Sequence, residues 1–184
     1  MISYFTEEEI EIMINYLNNE GNLKKLTMVL VLYETAARVS EFINIKLGDL
    51  NLSETASITL YGKGNKTRIV PISQELVKLI NRYRKEVYIN YGDDYLFYSN
   101  YKRQYSRFGV LYIVKNIVAD LKVCYPNYFN GNYHPHSFRH SRATHLYNNG
   151  VPLAYIKDFL GHEVFASTEI YTTSDTKKQR EVIL

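Results

Sequence analysis

The chain has 184 residues, 46% of them hydrophobic, and a formal net charge of +3. These values are typical of one globular domain with its own core and exclude a chain that is disordered by composition. The weak positive charge is compatible with a nucleic-acid partner but does not by itself indicate one. The single cysteine, Cys124, excludes an internal disulfide framework, and its apolar helical surroundings predict a buried thiol.

The beginning of the chain predicts helices. Residues 6–9 read TEEE, acidic where a secretory signal would be basic, and no apolar run is long enough to span a bilayer, so we expect a cytoplasmic protein. Thr6 and Glu9 have the spacing of a capping box for a first helix. A second helix is predicted from about Leu23 to Thr35. Ser40 is the predicted N-cap of a short third helix.

A β-hairpin is predicted after these helices. The segments 57–61 and 67–72 alternate polar and apolar residues, and the Gly-rich sequence GKGNK at 62–66 connects them. Pro71 cannot donate a backbone hydrogen bond, which places the second strand at a sheet edge.

The second half of the chain is predicted to be helical again. Ser73 caps a helix that runs to about Tyr88, and a long apolar helix covers 106–124. A further helix begins near His136, and another runs over 152–160 and ends at Gly161, a residue suited to the left-handed position after a helix. The pattern as a whole predicts a mainly α (α+β) fold, a helical single domain with a small antiparallel sheet.

The stretch from 134 to 171 carries the strongest chemical signal. His136 and Arg139 are three positions apart on one helix, so their side chains point the same way. His162 follows the turn at Gly161, and Tyr171 lies nine positions further on. Two histidines, an arginine and a tyrosine on short helices predict convergence on one anionic group.

Arg38 and Glu41 form a second candidate pair, three residues apart after an apolar helix. An arginine at such a junction is commonly a surface residue or the partner of a nearby carboxylate. In the functional interpretation the Arg38 guanidinium grips two phosphate oxygens and Glu41 orients the site.

The hairpin connection carries a cluster of positive charge. Lys63 lies between two glycines at its tip, and Lys66 and Arg68 follow on the same ribbon. A lysine on a turn is usually only solvated, but a two-stranded ribbon tip can enter a DNA groove. We therefore expect Lys66 and Arg68 to bind DNA.

A metal site must be weighed because His136 and His140 are one helical turn apart. Arg139 lies between them, no glutamate accompanies them, and a guanidinium repels a cation and attracts an anion. We expect no metal here. His140 and His145 are more simply explained as buried histidines, and His134 as a loop residue.

Five motifs in order carry a resemblance to a known family. They are Ala37-Arg38-Val39-Ser40-Glu41, Gly62-Lys63-Gly64-Asn65-Lys66, His136-Ser137-Phe138-Arg139-His140, Leu160-Gly161-His162 and Thr168-Glu169-Ile170-Tyr171. Together they resemble the catalytic domain of the tyrosine recombinases, the phage integrase family. The resemblance implies Arg38, Lys63, His136, Arg139 and His162 as activating residues, Tyr171 as the nucleophile and Glu41 as an accessory residue.

The resemblance also implies an activity. Tyr171 would form a covalent 3′-phosphotyrosyl intermediate with double-stranded DNA, without cofactor or metal. Lys63 would protonate the leaving 5′-oxygen, and His136 would act in general acid–base fashion. Other protomers would join it on DNA and form a tetramer in synapsis. The protein would be associated with the nucleoid.

Family members usually carry a separate N-terminal domain, so we expect 1–184 to be the catalytic domain alone. The apolar end of the tail at 175–184 either docks on a neighbouring subunit or packs on its own chain. Two other functions stay open. One is a DNA-binding module that does not cleave, and the other is a type IB topoisomerase, which uses similar residues.

Overall fold

The computed structural model describes residues 3–62, 64, 66–99 and 102–161. The elements are α1 (Glu7–Asn19), α2 (Leu23–Thr35), α3 (Val39–Phe42), β1 (Leu50–Asn51), β2 (Ser57–Tyr61), β3 (Thr67–Pro71), α4 (Gln74–Glu86), α5 (Arg107–Cys124), α6 (Pro135–Asn148) and α7 (Leu153–Leu160). The predicted fold class, mainly helical with one small antiparallel sheet, is confirmed. Contacts divide the chain into two compact units, Met1–Arg142 and Ala143–Leu184, so the boundary falls within α6. The extent of the catalytic domain, 1–184, stays a prediction.

The start of α1 is fastened to the segment that precedes α6. The predicted capping box is present, because Thr6 Oγ1 accepts from Glu9 N at 3.1 Å and Glu9 Oε2 accepts from Thr6 N at 2.9 Å. The buried Glu9 also accepts from Phe129 N at 2.7 Å and from the Tyr133 hydroxyl at 3.0 Å. Phe5 stacks on Tyr133 with ring centroids 4.2 Å apart. One carboxylate therefore joins residues more than a hundred positions apart.

The α2–α3 junction corrects one prediction. Helix α2 ends at Ala36, a buried residue in the left-handed conformation with φ 49°. Arg38, not Ser40, is the N-cap of α3, with extended backbone at φ −65° and ψ 148°. The reason is the carboxylate at the N3 position of α3: Glu41 Oε2 accepts from Arg38 N at 2.7 Å, so the helix begins two residues earlier than expected.

The sheet has the order β1-β2-β3 and is antiparallel throughout. Leu60 on β2 pairs with Arg68 on β3, and the connection is closed by a hydrogen bond from Gly62 N to Lys66 O at 2.7 Å. β3 lies at an edge of the sheet, as Pro71 predicted. β2 is therefore the central strand, paired with β1 on one side and with β3 on the other.

Helix α4 is held by a carboxylate from α2, against which it packs. Ser73 caps α4 as predicted, since its Oγ accepts from Leu76 N at 3.1 Å. Glu34 in turn accepts from Ser73 N at 2.8 Å and from Ser73 Oγ at 2.7 Å. The C-terminal end of α2, which leads directly to Arg38, is anchored by these bonds.

Helix α5 buries one stripe and leaves its last turn in solvent. The buried residues are Val110, Val114, Ile117, Val118 and Leu121. Cys124 is exposed, so the prediction of a buried thiol is wrong. It is the last residue of α5, beyond the stripe that the core covers. Among the described residues, no helix has the length and apolarity needed to cross a membrane.

Within the second unit, α7 ends as its sequence predicts. Gly161 has φ 65°, and its N–H donates to Asp158 O at 3.0 Å. The left-handed conformation is one that glycine adopts without a steric penalty.

Candidate active site

Helix α6 is oriented by its small and apolar residues. His134 N donates to Ser137 Oγ at 3.0 Å at the start of the helix. Ser141 Oγ accepts from Phe5 N at 2.8 Å and donates to Ser137 O at 2.7 Å. Phe138 is buried with its ring centroid 4.8 Å from that of Phe5. These contacts fix the rotation of the helix within the first unit.

That rotation turns Arg139 inward. Arg139 is only 2% exposed, and its Nη1 donates to the carbonyl oxygen of Ala36 at 2.8 Å. A buried guanidinium lowers the stability of the fold unless hydrogen bonds or an opposite charge offset the free energy of removing it from water. The bond places the Arg139 charge against the peptide segment that leads to Arg38.

Arg38 lies at the mouth of the site and is held by Glu41. Arg38 Nη1 is 3.0 Å from Glu41 Oε1, which confirms the predicted carboxylate partner. The Arg38 side chain keeps 39% of its surface exposed, whereas that of Glu41 keeps 1%. A ligand can therefore reach the Arg38 guanidinium while the carboxylate that orients it stays inaccessible.

Arg68 completes a three-membered ion-pair group with these two residues. Its Nη1 is 2.7 Å from Glu41 Oε1, and its side chain is 13% exposed. Burial raises the pKa of Glu41, but the hydrogen bonds from Arg68 and Arg38 outweigh burial and hold the pKa below its usual value. Glu41 is therefore a carboxylate at neutral pH, and the group keeps a net positive charge.

His136 stands in the positive field of both arginines. His136 is an exposed residue of α6, yet neighbouring protein atoms shield its ring from part of the surrounding water. This desolvation is the main cause of its lowered pKa. The charges of Arg139, His140 and Arg38 lower the pKa of His136 further. His136 is therefore neutral at pH 7 and able to accept a proton.

The hairpin approaches the same carboxylate through its backbone. A Cβ atom at Gly62 would lie 3.3 Å from Glu41 Oε1 and 3.5 Å from Lys66 O, so any larger residue there would require the Glu41 carboxylate to shift by a few tenths of an ångström. Lys66 is exposed on the ribbon beside it. Lys63 lies outside the described residues, between this anchored base and Gly64.

The predicted site residues thus divide into two sets. Arg38, Glu41, His136 and Arg139 are brought together, and Arg68 joins them. Lys63, His162 and Tyr171 lie outside the described residues, so their positions stay predictions.

The other histidines have simpler surroundings. His145 is buried, as expected, and His134 precedes α6. His140 is partly buried with its ring 5.3 Å from that of Tyr4, and burial lowers its pKa. Within the described ranges, no three His, Cys, Asp or Glu side chains cluster as metal ligands would.

Two contacts of the site were not predicted. One is the Arg68–Glu41 ion pair, and the other is the hydrogen bond that Arg139 donates to the Ala36 carbonyl. The residues involved are 27 and 103 positions apart, so no local spacing signals them. The alternation of the hairpin offered the only hint for the first, since it puts Arg68 opposite the buried Leu60.

Similar proteins are found both by sequence and by structure. A profile of the phage integrase family matches residues 3–178. The chain is 33% identical over 183 residues to tyrosine recombinase XerD of Halalkalibacterium halodurans, and 36% identical over 181 residues to tyrosine recombinase XerA of Pyrococcus horikoshii. These alignments cover 96% and 97% of this chain and 59% of each relative, so the chain spans well under two thirds of the relatives' length.

Solved structures agree. The crystal structure of XerA recombinase superposes with a TM-score of 0.82 at 29% identity, over 99% of this chain and 64% of that one. XerH site-specific recombinase shares the fold, with a TM-score of 0.80 at 22% identity over 98% of this chain and 52% of that one. The five motifs, the family profile and the fold agree: the chain belongs to the phage integrase family, the tyrosine recombinases.

Proposed function

We propose that this chain is the catalytic part of a site-specific DNA recombinase that cuts and rejoins DNA strands through a covalent 3′-phosphotyrosyl intermediate. The observation that carries the proposal is the hydrogen bond that joins Arg139, on the same helix as His136, to the backbone just before Arg38. Both guanidinium charges lower the pKa of His136, and Arg139 is hydrogen-bonded two residues before Arg38. Two arginines around a neutral histidine suit one phosphodiester.

The two arginines would bind the non-bridging oxygens of that phosphodiester. Negative charge on these oxygens grows as the attacking oxygen approaches phosphorus. Guanidinium groups that are already oriented stabilise this charge without reorganising during the reaction. The Ala36 carbonyl holds one of them and Glu41 the other, so the site is prepared before DNA binds.

The residues outside the described ranges complete the proposed chemistry. Tyr171 attacks phosphorus, the bond between its phenolic oxygen and phosphorus forms, and the bond to the 5′-oxygen breaks. Lys63 gives a proton to the leaving 5′-oxygen, His136 accepts the phenol proton, and His162 donates a hydrogen bond to the phosphate. A 5′-hydroxyl from another strand then reverses the step, which needs neither ATP nor metal.

Double-stranded DNA and sister protomers are the proposed partners. One structural neighbour, XerH, was solved on its palindromic difH DNA in a post-cleavage complex, which supports DNA as the substrate class. Lys66, exposed beside the hairpin tip, is proposed to contact phosphate. Protomers would assemble on DNA, as a tetramer in synapsis, and the tail after Thr173 is the proposed trans contact.

A covalent trapping assay tests the proposal. DNA duplexes from the region that flanks the gene, nicked near candidate cleavage positions, are incubated with protein and separated under denaturing conditions. A protein–DNA adduct is expected from the unmodified chain, and none from Tyr171→Phe. Tyr155→Phe is the matched control, because Tyr155 is an exposed tyrosine on α7.

The same assay separates the other functions. Binding of DNA without any adduct would identify a non-cleaving binding module. An adduct accompanied by relaxation of supercoiled plasmid, but no recombinant product, would identify a topoisomerase. An adduct formed by Tyr171→Phe would overturn the assignment of the nucleophile.

A further inference from the structure

We infer that Arg68 is a positioning residue that joins the β2–β3 hairpin to Arg38 through Glu41, and not a DNA-contacting residue of the ribbon surface. This inference rests on the proposed function, because positioning matters only if Arg38 and Lys63 act on a phosphodiester. It replaces the expectation that Arg68 and Lys66 share one role.

The first observation is the different environment of the two ribbon cations. Lys66 is exposed, whereas the Arg68 side chain is 13% exposed and its Nη1 is 2.7 Å from a carboxylate. The Nε and Nη2 atoms of Arg68 are also buried. A guanidinium that faces inward is poorly placed to meet a DNA backbone on the ribbon surface.

The second observation is that the two arginines share one oxygen atom. Arg68 Nη1 and Arg38 Nη1 both donate to Glu41 Oε1, at 2.7 Å and 3.0 Å. Glu41 Oε2 meanwhile accepts from the backbone N–H of Arg38. The direction of the carboxylate therefore sets both the side chain and the backbone of Arg38, and Arg68 fixes that direction from the other side.

The third observation concerns the hairpin. Arg68 is paired with Leu60 in the ladder, so its backbone is part of the ribbon that carries Lys63. Gly62, at the other end of the connection, passes so close to Glu41 Oε1 that a Cβ would be 3.3 Å away. Both strands of the hairpin thus contact the same carboxylate near the connection. Because Glu41 also binds Arg38, it fixes the position of the base of the connection relative to Arg38.

The test separates binding from chemistry. Arg68→Gln, Arg68→Lys and Lys66→Gln are compared in the full chain, on the duplex that gives the adduct, by DNA affinity across a salt series and by the adduct rate at saturating DNA. For Arg68→Gln we expect an unchanged salt dependence and an adduct rate lowered by about 100-fold, the loss typical of a small misplacement at a reacting centre. Arg68→Lys, which keeps the charge, should recover part of the rate.

A DNA-contacting Arg68 would behave differently. Each lost phosphate contact reduces the slope of log affinity against log salt by about 0.9. The inference is overturned if the salt slope of Arg68→Gln falls by this amount, as expected for Lys66→Gln. It is also overturned if Arg68→Gln reacts as fast as the unmodified chain. In both cases the proposed function stands. If the unmodified chain forms no adduct, the proposed function fails first and this role fails with it.

Misfolding of the single variant is controlled by a double variant. Glu41→Gln combined with Arg68→Gln removes both charges of this ion pair, so neither residue is left as a buried charge without its partner. We expect this double variant to fold, as checked by its melting temperature, and to react as slowly as Arg68→Gln. A double variant that folds and reacts at the unmodified rate would equally overturn the inference.

Discussion

Arg139 is bound to the peptide of Ala36, since its Nη1 donates to that carbonyl at 2.8 Å. Ala36 precedes Arg38 by two residues, so the two arginines that we propose for phosphate binding are connected through the backbone. The α2–α3 junction is therefore part of the site's structure, and changes there affect both the stability of the fold and the geometry of the site.

Replacement of Arg139 tests the buried end of this connection. Arg139→Met keeps most of the apolar volume but leaves the Ala36 carbonyl without its donor. We expect a loss of about 1–3 kcal/mol in the free energy of unfolding, measured by urea denaturation. Loss of one transition-state donor should lower the adduct rate by about 10²–10³-fold. A variant that is both as stable and as reactive as the unmodified chain would contradict this role.

Ala36 tests the backbone conformation of the junction. Its φ of 49° is the left-handed region, where a β-branched side chain is a steric outlier. Ala36→Val should therefore destabilise the protein by about 2 kcal/mol or more and slow adduct formation. Ala36→Gly, which relieves the strain but loses a buried methyl group, should change the free energy of unfolding by about 1 kcal/mol or less. Equal effects of the two changes in urea denaturation would rule out backbone strain as the cause.

The lowered pKa of His136 predicts an acid limit of the reaction. His136 is proposed to accept a proton, so the adduct rate should stay level just below pH 6.5, the ordinary histidine value, and fall only as pH drops through the lower pKa of the folded protein. Arg38→Gln removes a nearby positive charge and should raise this pKa. Histidine NMR titration measures it directly, and an unchanged His136 pKa in Arg38→Gln would contradict the proximity of the two residues.

The same shift has a consequence for stability. The unfolded chain binds a proton at His136 more readily than the folded protein does, so stability is lost as pH falls through 6.5 toward the folded pKa. His136→Gln should remove part of this acid loss. His140 also has a lowered pKa, so His140→Gln is the control that separates the two contributions.

Glu41 has the opposite shift and a lower pH window. Its folded pKa lies below the unfolded value of 4.5, so its contribution to stability is complete above pH 4.5 and is lost as pH falls through the folded pKa. Glu41→Gln should flatten the pH dependence of the melting temperature below pH 4.5. Glu41→Ala should cost about 3–5 kcal/mol at neutral pH, because it leaves the Arg68 charge buried and uncompensated. A melting temperature unaffected by Glu41→Ala would contradict the ion-pair group.

Gly62 and Gly64 form a matched pair in the hairpin. A methyl group at Gly62 meets the Glu41 carboxylate, whereas one at Gly64 meets open space but is strained by a φ of 76°. We expect Gly62→Ala to slow the adduct rate, because its methyl group requires the Glu41 carboxylate to shift by a few tenths of an ångström. Gly64→Ala should reduce stability by about 1 kcal/mol through backbone strain. If Gly62→Ala reacts normally, the hairpin is not positioned through Glu41.

Local patterns were sufficient for most of the secondary structure. The Thr6–Glu9 capping box, the bounds of α2, the hairpin strands and the stop at Gly161 follow from residues a few positions apart, and all are confirmed. The predicted N-cap at Ser40 failed because Glu41 offers the backbone a stronger acceptor than a serine hydroxyl.

The amino-acid order alone predicted Arg38, Glu41, His136 and Arg139 as site residues, since their motifs follow one another in the order typical of the resembled family. Folding decided how they are held: Arg139 on the Ala36 carbonyl, and Arg68 turned inward onto Glu41. The physical reason is distance along the chain. Helix caps and turns are satisfied by near neighbours, whereas a buried charge finds its partner only when packing brings remote segments together and removes the water that would otherwise solvate it.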